Sequence, residues 1–98
     1  MLIKVHKAYR DVVAVCDSDL IERKLEEGTR TLHIRENFYK GEEKSEAELI
    51  ELLVDLSKED ATFNIVGKNS VDCAVKAGII KHDGVKTIQG VPFALVLL

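Results

Sequence analysis

The stretch that decides the fold is residues 61–92, ATFNIVGKNSVDCAVKAGIIKHDGVKTIQGVP. Its first part, Ala61–Val66, is rich in β-branched and aromatic residues and predicts a strand. Gly67 interrupts this run, and Lys68–Ala77 then has apolar residues at helical spacing, which predicts a helix. Gly78 follows directly and is expected to end the helix in a left-handed conformation. The stretch therefore predicts a strand, a glycine turn and a helix in succession.

The chain beyond this helix predicts a turn and two further strands. His82-Asp83-Gly84 has turn composition, and Val85–Gln89 and Phe93–Leu98 are β-rich runs on either side of a Gly-Val-Pro bend. The last run, FALVLL, has no polar face. Such a strand is either central and covered on both faces, which we prefer, or an edge that pairs with another subunit. A homodimer through Phe93–Leu98 therefore stays open.

The N-terminal half predicts strands at Leu2–Tyr9 and Val12–Cys16, joined either by a tight hairpin turn or by a four-residue loop. In the first strand Ile3, Val5 and Tyr9 share one face. Good N-cap residues at 17–19 predict a short helix over Leu20–Glu27, which Gly28 ends. A half-exposed strand at 30–35 and a loop at 37–44, in which Phe38 and Tyr39 contact the core, complete this half.

The clearest helix begins at Ser45 and ends near Lys58. Ser45 and Glu48 fit a capping box, and the leucines that follow lie at the i, i+3, i+4, i+7 positions of one helix face: Leu49, Leu52, Leu53 and Leu56. The predicted order is ββαβαβαββ. We predict a single α+β domain over residues 1–98, with a mixed sheet and about three helices.

Composition restricts the class of protein. The chain has 98 residues and a net charge of −3, without a broad basic footprint, which argues against strong nonspecific nucleic-acid binding. No apolar run reaches the length of a membrane helix, and the alternating N-terminus is not that of a signal peptide. Two cysteines that lie far apart fit free thiols in a reducing compartment. We expect a cytoplasmic protein.

The two parts of the chain differ in charge. Residues 1–60 have 10 basic and 15 acidic side chains, a net charge of −5, whereas residues 61–98 have four lysines and two aspartates, a net charge of +2. Within the positive part, the first amides of the predicted helix lack helical partners, and a glycine precedes them. The residues Gly67, Lys68, Asn69 and Ser70 are therefore the candidate anion-binding site, although neither a P-loop nor a dinucleotide-binding pattern is present.

Other chemistry-bearing residues favour structural roles. Three carboxylates, Glu48, Glu51 and Asp55, share one face of the long helix and fit a solvated stripe better than a magnesium site. The cysteines and histidines are scattered, so we expect no metal, no cofactor and no catalytic cysteine or serine. In the loop 37–41 aromatic and basic residues could stack bases, but packing against the core is the preferred role.

Several stretches together resemble a known family. They are Glu27-Gly28, Phe38–Glu42, Asn64–Gly67, Gly78–Ile80 and Ile88–Pro92, in this order over nearly the whole chain. They resemble the small archaeal family of the domain of unknown function 424. The resemblance implies an archaeal source and a compact α+β domain, and it supplies no activity, substrate or catalytic residue.

Three hypotheses for the function follow from the residues. The first is a non-catalytic module that binds an anionic partner, RNA or a translation-associated complex, through Gly67–Ser70. The second is a small enzyme that acts on a phosphorylated or carboxylated metabolite, with His82 or Asp83 as acid or base near that site. The third is a structural or oligomeric subunit that assembles through Phe93–Leu98.

Overall fold

Alternating and β-branched runs form most of the chain's regular structure. The computed structural model describes residues 1–97. The strands are β1 (Leu2–His6), β2 (Asp11–Cys16), β3 (Lys24–Glu27), β4 (Arg30–His33), β5 (Glu42–Glu43), β6 (Ala61–Val66), β7 (Lys86–Ile88) and β8 (Val91–Leu97). The helices are α1 (Glu36–Tyr39), α2 (Glu46–Leu56) and α3 (Lys68–Lys76), and short 3₁₀ turns occupy Ser18–Leu20 and His82–Gly84.

Six of the strands form one mixed sheet in the order β5-β1-β2-β6-β8-β7. The central pair β2 and β6 is parallel, with Cys16 opposite Val66, whereas the other neighbours are antiparallel. Strands β3 and β4 form a separate hairpin, with Glu27 opposite Arg30. The predicted α+β fold with a mixed sheet and about three helices is confirmed.

The two faces of the large sheet have separate hydrophobic cores. On the first face, residues such as Val13, Val15 and Phe63 are fully buried beneath α2 and α3. On the second face, Leu2, Cys16 and Val66 pack against the β3–β4 hairpin, the 18–20 turn and α1. Period-two alternation along β1, β2 and β6 sends neighbouring side chains to different cores.

The two long helices begin and end as the sequence predicts. Ser45 and Glu48 form the expected capping box at the start of α2, and Leu49 and Leu53 are fully buried. At the end of α3 the Gly78 N–H donates to the Val75 carbonyl and the Ile79 N–H donates to that of Ala74. Gly78 has φ +80° in this Schellman-type cap.

The predicted helix over Leu20–Glu27 is wrong. The 3₁₀ turn ends at Leu20, Glu22 adopts a left-handed φ of 67°, and Lys24–Glu27 is the strand β3. The predicted loop at 37–44 instead contains part of α1 and all of β5. Phe38 and Tyr39 pack into the second core, as expected.

Two predictions about strand ends also need correction. Strand β1 ends at His6, so the four-residue loop applies, and Tyr9 lies fully exposed in that loop instead of sharing the face of Ile3. Strand β8 lies between β6 and β7, but β7 pairs with it only at Val91–Phe93. The preferred prediction, a central strand covered on both faces, therefore fails for the second half of β8, where Leu95 and Leu97 are 62% and 70% exposed. Leu98 itself lies outside the described residues.

Within residues 1–97, no helix is both long enough and apolar enough to span a membrane.

Candidate functional site

The start of α3 lies at the carboxyl ends of the two parallel strands. Because Cys16 pairs with Val66, the next residues, Asp17 and Gly67, lie side by side. The Asp17 N–H donates to the Val66 carbonyl at 3.1 Å, and the Gly67 N–H donates to the Pro92 carbonyl at 2.8 Å. Gly67 has φ 110°, and a Cβ at this position would lie 2.4 Å from Cγ of Asp17. The glycine therefore lets the Asp17 carboxylate approach the helix.

Asp17 occupies the amides that the sequence predicted to be free. Its carboxylate accepts hydrogen bonds from the Asn69 N–H at 3.2 Å and from the N–H and hydroxyl of Ser70 at 2.8 Å each. Asp17 is 8% exposed, and Ser70 is fully buried. The expectation of an open run of amides at Gly67–Ser70 is wrong, because the protein's own carboxylate satisfies two of them. Anion binding by the exposed Lys68 stays a prediction.

The surroundings of this helix start are acidic. A surface cavity of about 340 Å³ adjoins it and is lined by Met1, Asp17, Ser18, Asp19, Glu46, Asn69 and Asp72. Four of these seven residues are carboxylates. Their field opposes the approach of an anion, whereas in residues 1–97 no group of three His, Cys, Asp or Glu side chains is placed to hold a metal ion. This cavity does not favour the predicted ligand class.

His82 and Asp83 do not join this site. They lie in the exposed 3₁₀ turn that follows α3, whereas Gly67 precedes that helix. No hydrogen bond or ion pair within residues 1–97 connects the turn to Gly67–Ser70. An enzyme that uses both segments together therefore has no support from the contacts.

The remaining predicted candidates have structural surroundings. Glu48 is part of the α2 capping box, and the hydrogen bonds that its carboxylate accepts there lower its pKa; Glu51 and Asp55 are exposed. Cys16 and Cys73 are buried free thiols. Burial raises the pKa of the Cys16 thiol to about 12, and it also raises that of Cys73, so neither thiol is activated as a nucleophile.

A cleft beside α1 gathers cationic side chains that sequence reasoning did not bring together. Two adjacent cavities, of about 490 and 560 Å³, share Arg35 and Asn37. We call the pair the α1 cleft. Its other lining residues are Lys4, His6, Glu22, His33, Glu36, Phe38, Tyr39 and Lys40. The lining of the cleft thus includes three lysine or arginine side chains and two histidines, but only two carboxylates.

Strand β1 fixes α1 in place at this cleft. The Lys4 ammonium donates to the Asn37 carbonyl at 2.8 Å, and Nε2–H of His6 donates to the Phe38 carbonyl at 2.8 Å. The rings of His6 and Phe38 stack with their centroids 4.7 Å apart. Because Lys4 and His6 alternate along β1, they reach α1 on the same face of the sheet. This alternation and the aromatic and basic residues of the loop 37–41 were the sequence signals for the cleft.

The carboxylates of the cleft are already engaged. Glu22 accepts from the Glu36 N–H at 2.6 Å and lies 3.6 Å from the His33 ring. Glu36 forms an ion pair with Lys40 at 3.4 Å. The guanidinium of Arg35, in contrast, is exposed and forms no ion pair or side-chain hydrogen bond with residues 1–97. Arg35 is therefore available to an anionic ligand.

A fully exposed aromatic ring lies in the loop that follows β1. Tyr9 is the third residue of the loop 7–10. Its solvent-accessible surface is as large as that of a tyrosine in an extended chain. Lys7 and Arg10 flank it and form exposed ion pairs with Asp11 and Asp60. An aromatic side chain so exposed offers a stacking face to a planar ligand.

Comparisons with known proteins add a family and a structural relative. The sequence model of a family described as "Protein of unknown function (DUF424)" matches residues 6–98. An uncharacterized conserved protein from Methanopyrus kandleri, known from a crystal structure, has a similar fold with a TM-score of 0.82. It is 28% identical, and the match covers 97% of this chain and 88% of that one. A search of curated proteins finds no match.

Proposed function

The chain belongs to the DUF424 family, and we propose that it is a non-catalytic module that binds an anionic partner, single-stranded RNA, in the cytoplasm. The observation that carries the proposal is the exposed guanidinium of Arg35 in the α1 cleft, which has no ion-pair partner among residues 1–97; Lys4 and Lys40 line the same cavity. The proposed binding surface is the α1 cleft and not the predicted site at Gly67–Ser70, because Asp17 accepts hydrogen bonds from the first amides of α3.

The chemistry of this surface fits a nucleic-acid strand in two respects. Lysine and arginine side chains interact with phosphates, and an arginine fork can donate two hydrogen bonds to one phosphate. The exposed ring of Tyr9 follows His6, a cleft residue, by three positions and can stack a base. Single strands leave their bases free for such stacking, whereas duplexes do not.

The net charge of −3 favours a local and modest interaction over long-range attraction. If Lys4, Arg35 and Lys40 neutralise about three phosphates, the logarithm of affinity falls with a slope of roughly −2 against the logarithm of salt. A rise from about 50 to about 200 mM salt then weakens binding by about 20-fold.

The test measures binding of the full chain to a fluorescent oligouridine by anisotropy at these two salt concentrations. Arg35→Glu should abolish the salt-sensitive binding, and Tyr9→Ala should weaken it by roughly 1–3 kcal/mol through the lost stacking. Lys68→Glu makes the same charge change at the start of α3 and serves as the matched control. Thermal melts check that all variants are folded.

The outcomes separate the two surfaces. Loss of binding in Arg35→Glu with little change in Lys68→Glu supports the α1 cleft. Loss in Lys68→Glu alone would place the site at the start of α3, as the sequence first suggested. Wild-type protein that shows no salt-sensitive binding would refute the proposal.

A further inference from the structure

Strand β8 has a free edge along its second half. Strand β7 pairs with β8 from Val91 to Phe93 only, and no strand within residues 1–97 pairs with the same side of β8 at Ala94–Leu97. On the other side, β6 pairs with β8 from Phe93 to Leu97. The segment 94–97 is therefore an edge of the large sheet.

The hydrogen-bond pattern shows which residues direct their backbone groups to this edge. The Pro92 carbonyl accepts from Gly67 and so points toward β6. Successive residues of a strand alternate in this respect, so Ala94 and Val96 bond to β6. The N–H and C=O groups of Leu95 and Leu97 consequently point to the free edge.

The side chains of the same two residues are exposed and apolar. Leu95 is 62% exposed and Leu97 is 70% exposed, on the second face of the sheet, whereas Ala94 is buried and Val96 packs against the first core. Each leucine thus presents both an unpaired backbone and an apolar side chain.

The two edges of the sheet differ in how they are protected. The opposite edge strand, β5, is only two residues long, and both are glutamates. Short, charged edges of this kind prevent pairing with other chains. Residues 93–97 contain neither a charge nor a proline. The β8 edge lacks the charges that protect β5, which is expected of an edge that a partner covers.

We propose that the partner is a second copy of this chain, paired antiparallel through β8 about a two-fold axis at Val96. In this register Leu95 of each copy lies opposite Leu97 of the other copy. Both of these pairs are of the hydrogen-bonded type. Four leucines then adjoin on one face. The edge is its own complement, because it offers only backbone groups and apolar side chains, without a charge pattern that a different partner would have to match.

The proposed interface is small. A strand pair of this length buries much less than the roughly 800 Å² per partner of a standard stable interface. We therefore expect a weak dimer whose population rises with protein concentration. Because apolar contacts and backbone hydrogen bonds carry it, added salt should not weaken the dimer, in contrast to RNA binding.

The test is sedimentation equilibrium of the full chain from micromolar to millimolar concentration. Wild-type protein should pass from monomer to dimer. Leu95→Lys places a charge at the interface and should keep the protein monomeric. Leu95→Pro removes an N–H that faces the edge and not β6, so it should also prevent pairing while the sheet remains.

Tyr9→Lys is the control, because it introduces the same charge at another exposed residue, in the loop between β1 and β2 and away from strand β8, and should leave the dimer unchanged. Thermal melts identify the folded variants, and Leu95→Lys alone suffices if the proline variant does not fold. Wild-type protein that stays monomeric at millimolar concentration would overturn the proposal. A dimer that persists in Leu95→Lys would do so as well.

Discussion

The Asp17 carboxylate accepts hydrogen bonds from both the backbone N–H and the hydroxyl of Ser70, each at 2.8 Å, and so joins the end of β2 to the first turn of α3. The helix has no cap from its own N-cap residue, which is Gly67. Asp17, which lies 53 positions before Ser70 in the chain, performs this role.

Asp17→Ala should lower the free energy of unfolding by about 2–4 kcal/mol. The substitution leaves the N–H of Asn69 and both donors of Ser70 without their acceptor, and Ser70 is fully buried. Urea unfolding measures the change. Asp19→Ala, at an exposed aspartate on the rim of the same cavity, is the control and should change stability by less than about 0.5 kcal/mol. Equal effects of the two substitutions would contradict this account.

Gly67→Ala should destabilise the protein by at least about 2 kcal/mol. The new Cβ would meet the Asp17 carboxylate at 2.4 Å, and the φ of 110° is unfavourable for any residue with a side chain. Gly84→Ala is the matched control, since its Cβ would meet nothing within 4 Å. Urea midpoints that shift alike in the two variants would show that the approach of Asp17 is not what requires glycine.

Stability should decline at alkaline pH. Burial raises the pKa of Tyr39 from its usual 10.0 to about 12 and that of Cys16 from 9.0 to about 12. A raised folded pKa means that the contribution is complete below the unfolded pKa and is lost as the pH rises toward the folded value. The loss should therefore begin near pH 9 and continue toward pH 12.

Tyr39→Phe should remove the tyrosine part of this decline, which is at most about 3 kcal/mol for such a shift. Melting temperatures measured across the alkaline range provide the comparison. Tyr9→Phe, at the fully exposed tyrosine, is the control and should follow the wild-type profile. If Tyr39→Phe declines as steeply as the wild type between pH 10 and pH 12, the burial of the phenol is not the cause.

The contact between the β3–β4 hairpin and the turn that joins β7 to β8 should weaken in acid. The Gln89 N–H donates to the Glu27 carboxylate at 2.9 Å, and this bond, together with Arg30, lowers the pKa of Glu27. A lowered folded pKa gives a contribution that is present above the unfolded pKa of 4.5 and is lost as the pH falls through the folded value. Glu27→Gln should remove this acid-dependent part.

Melts from neutral pH to well below the unfolded pKa of 4.5 test this expectation. Glu26→Gln is the control, because Glu26 lies on the same strand and, within residues 1–97, forms an ion pair only with Lys24 at 3.5 Å. Melting curves of Glu27→Gln that show the full wild-type acid dependence would contradict the proposed role of Glu27.

Local signals predicted the parts of the fold that depend on neighbouring residues. The capping box at Ser45 and the helix-ending Gly78 each depend on residues within one helical turn. The start of α2 and the end of α3 therefore lie where the sequence predicts them. The prediction of a helix over 20–27 was wrong, because Asp17, one of its predicted N-cap residues, caps a different helix. That helix is α3. In addition, the buried Leu25 lies between the exposed Lys24 and Glu26, and this alternation is typical of a strand.

The sites depended on strand order, which the sequence does not contain. The occupation of the α3 amides by Asp17 follows from the parallel pairing of β2 with β6, and the α1 cleft follows from the position of α1 beside β1. Lys4, His33 and Arg35 are ordinary surface residues until these elements are placed. The scattered cysteines correctly indicated free thiols, whereas their full burial in the two cores goes beyond the half-buried thiols that the sequence suggested.

The long-range cap of α3 has a consequence for the folding pathway. A nine-residue helix is marginal in isolation, and its terminal acceptor arrives only after β2 and β6 have aligned. We expect α3 to consolidate late, so that loss of the aspartate accelerates unfolding far more than it slows refolding. The Asp17 carboxylate thus stabilises the start of α3 only after β2 and β6 have paired in their native register.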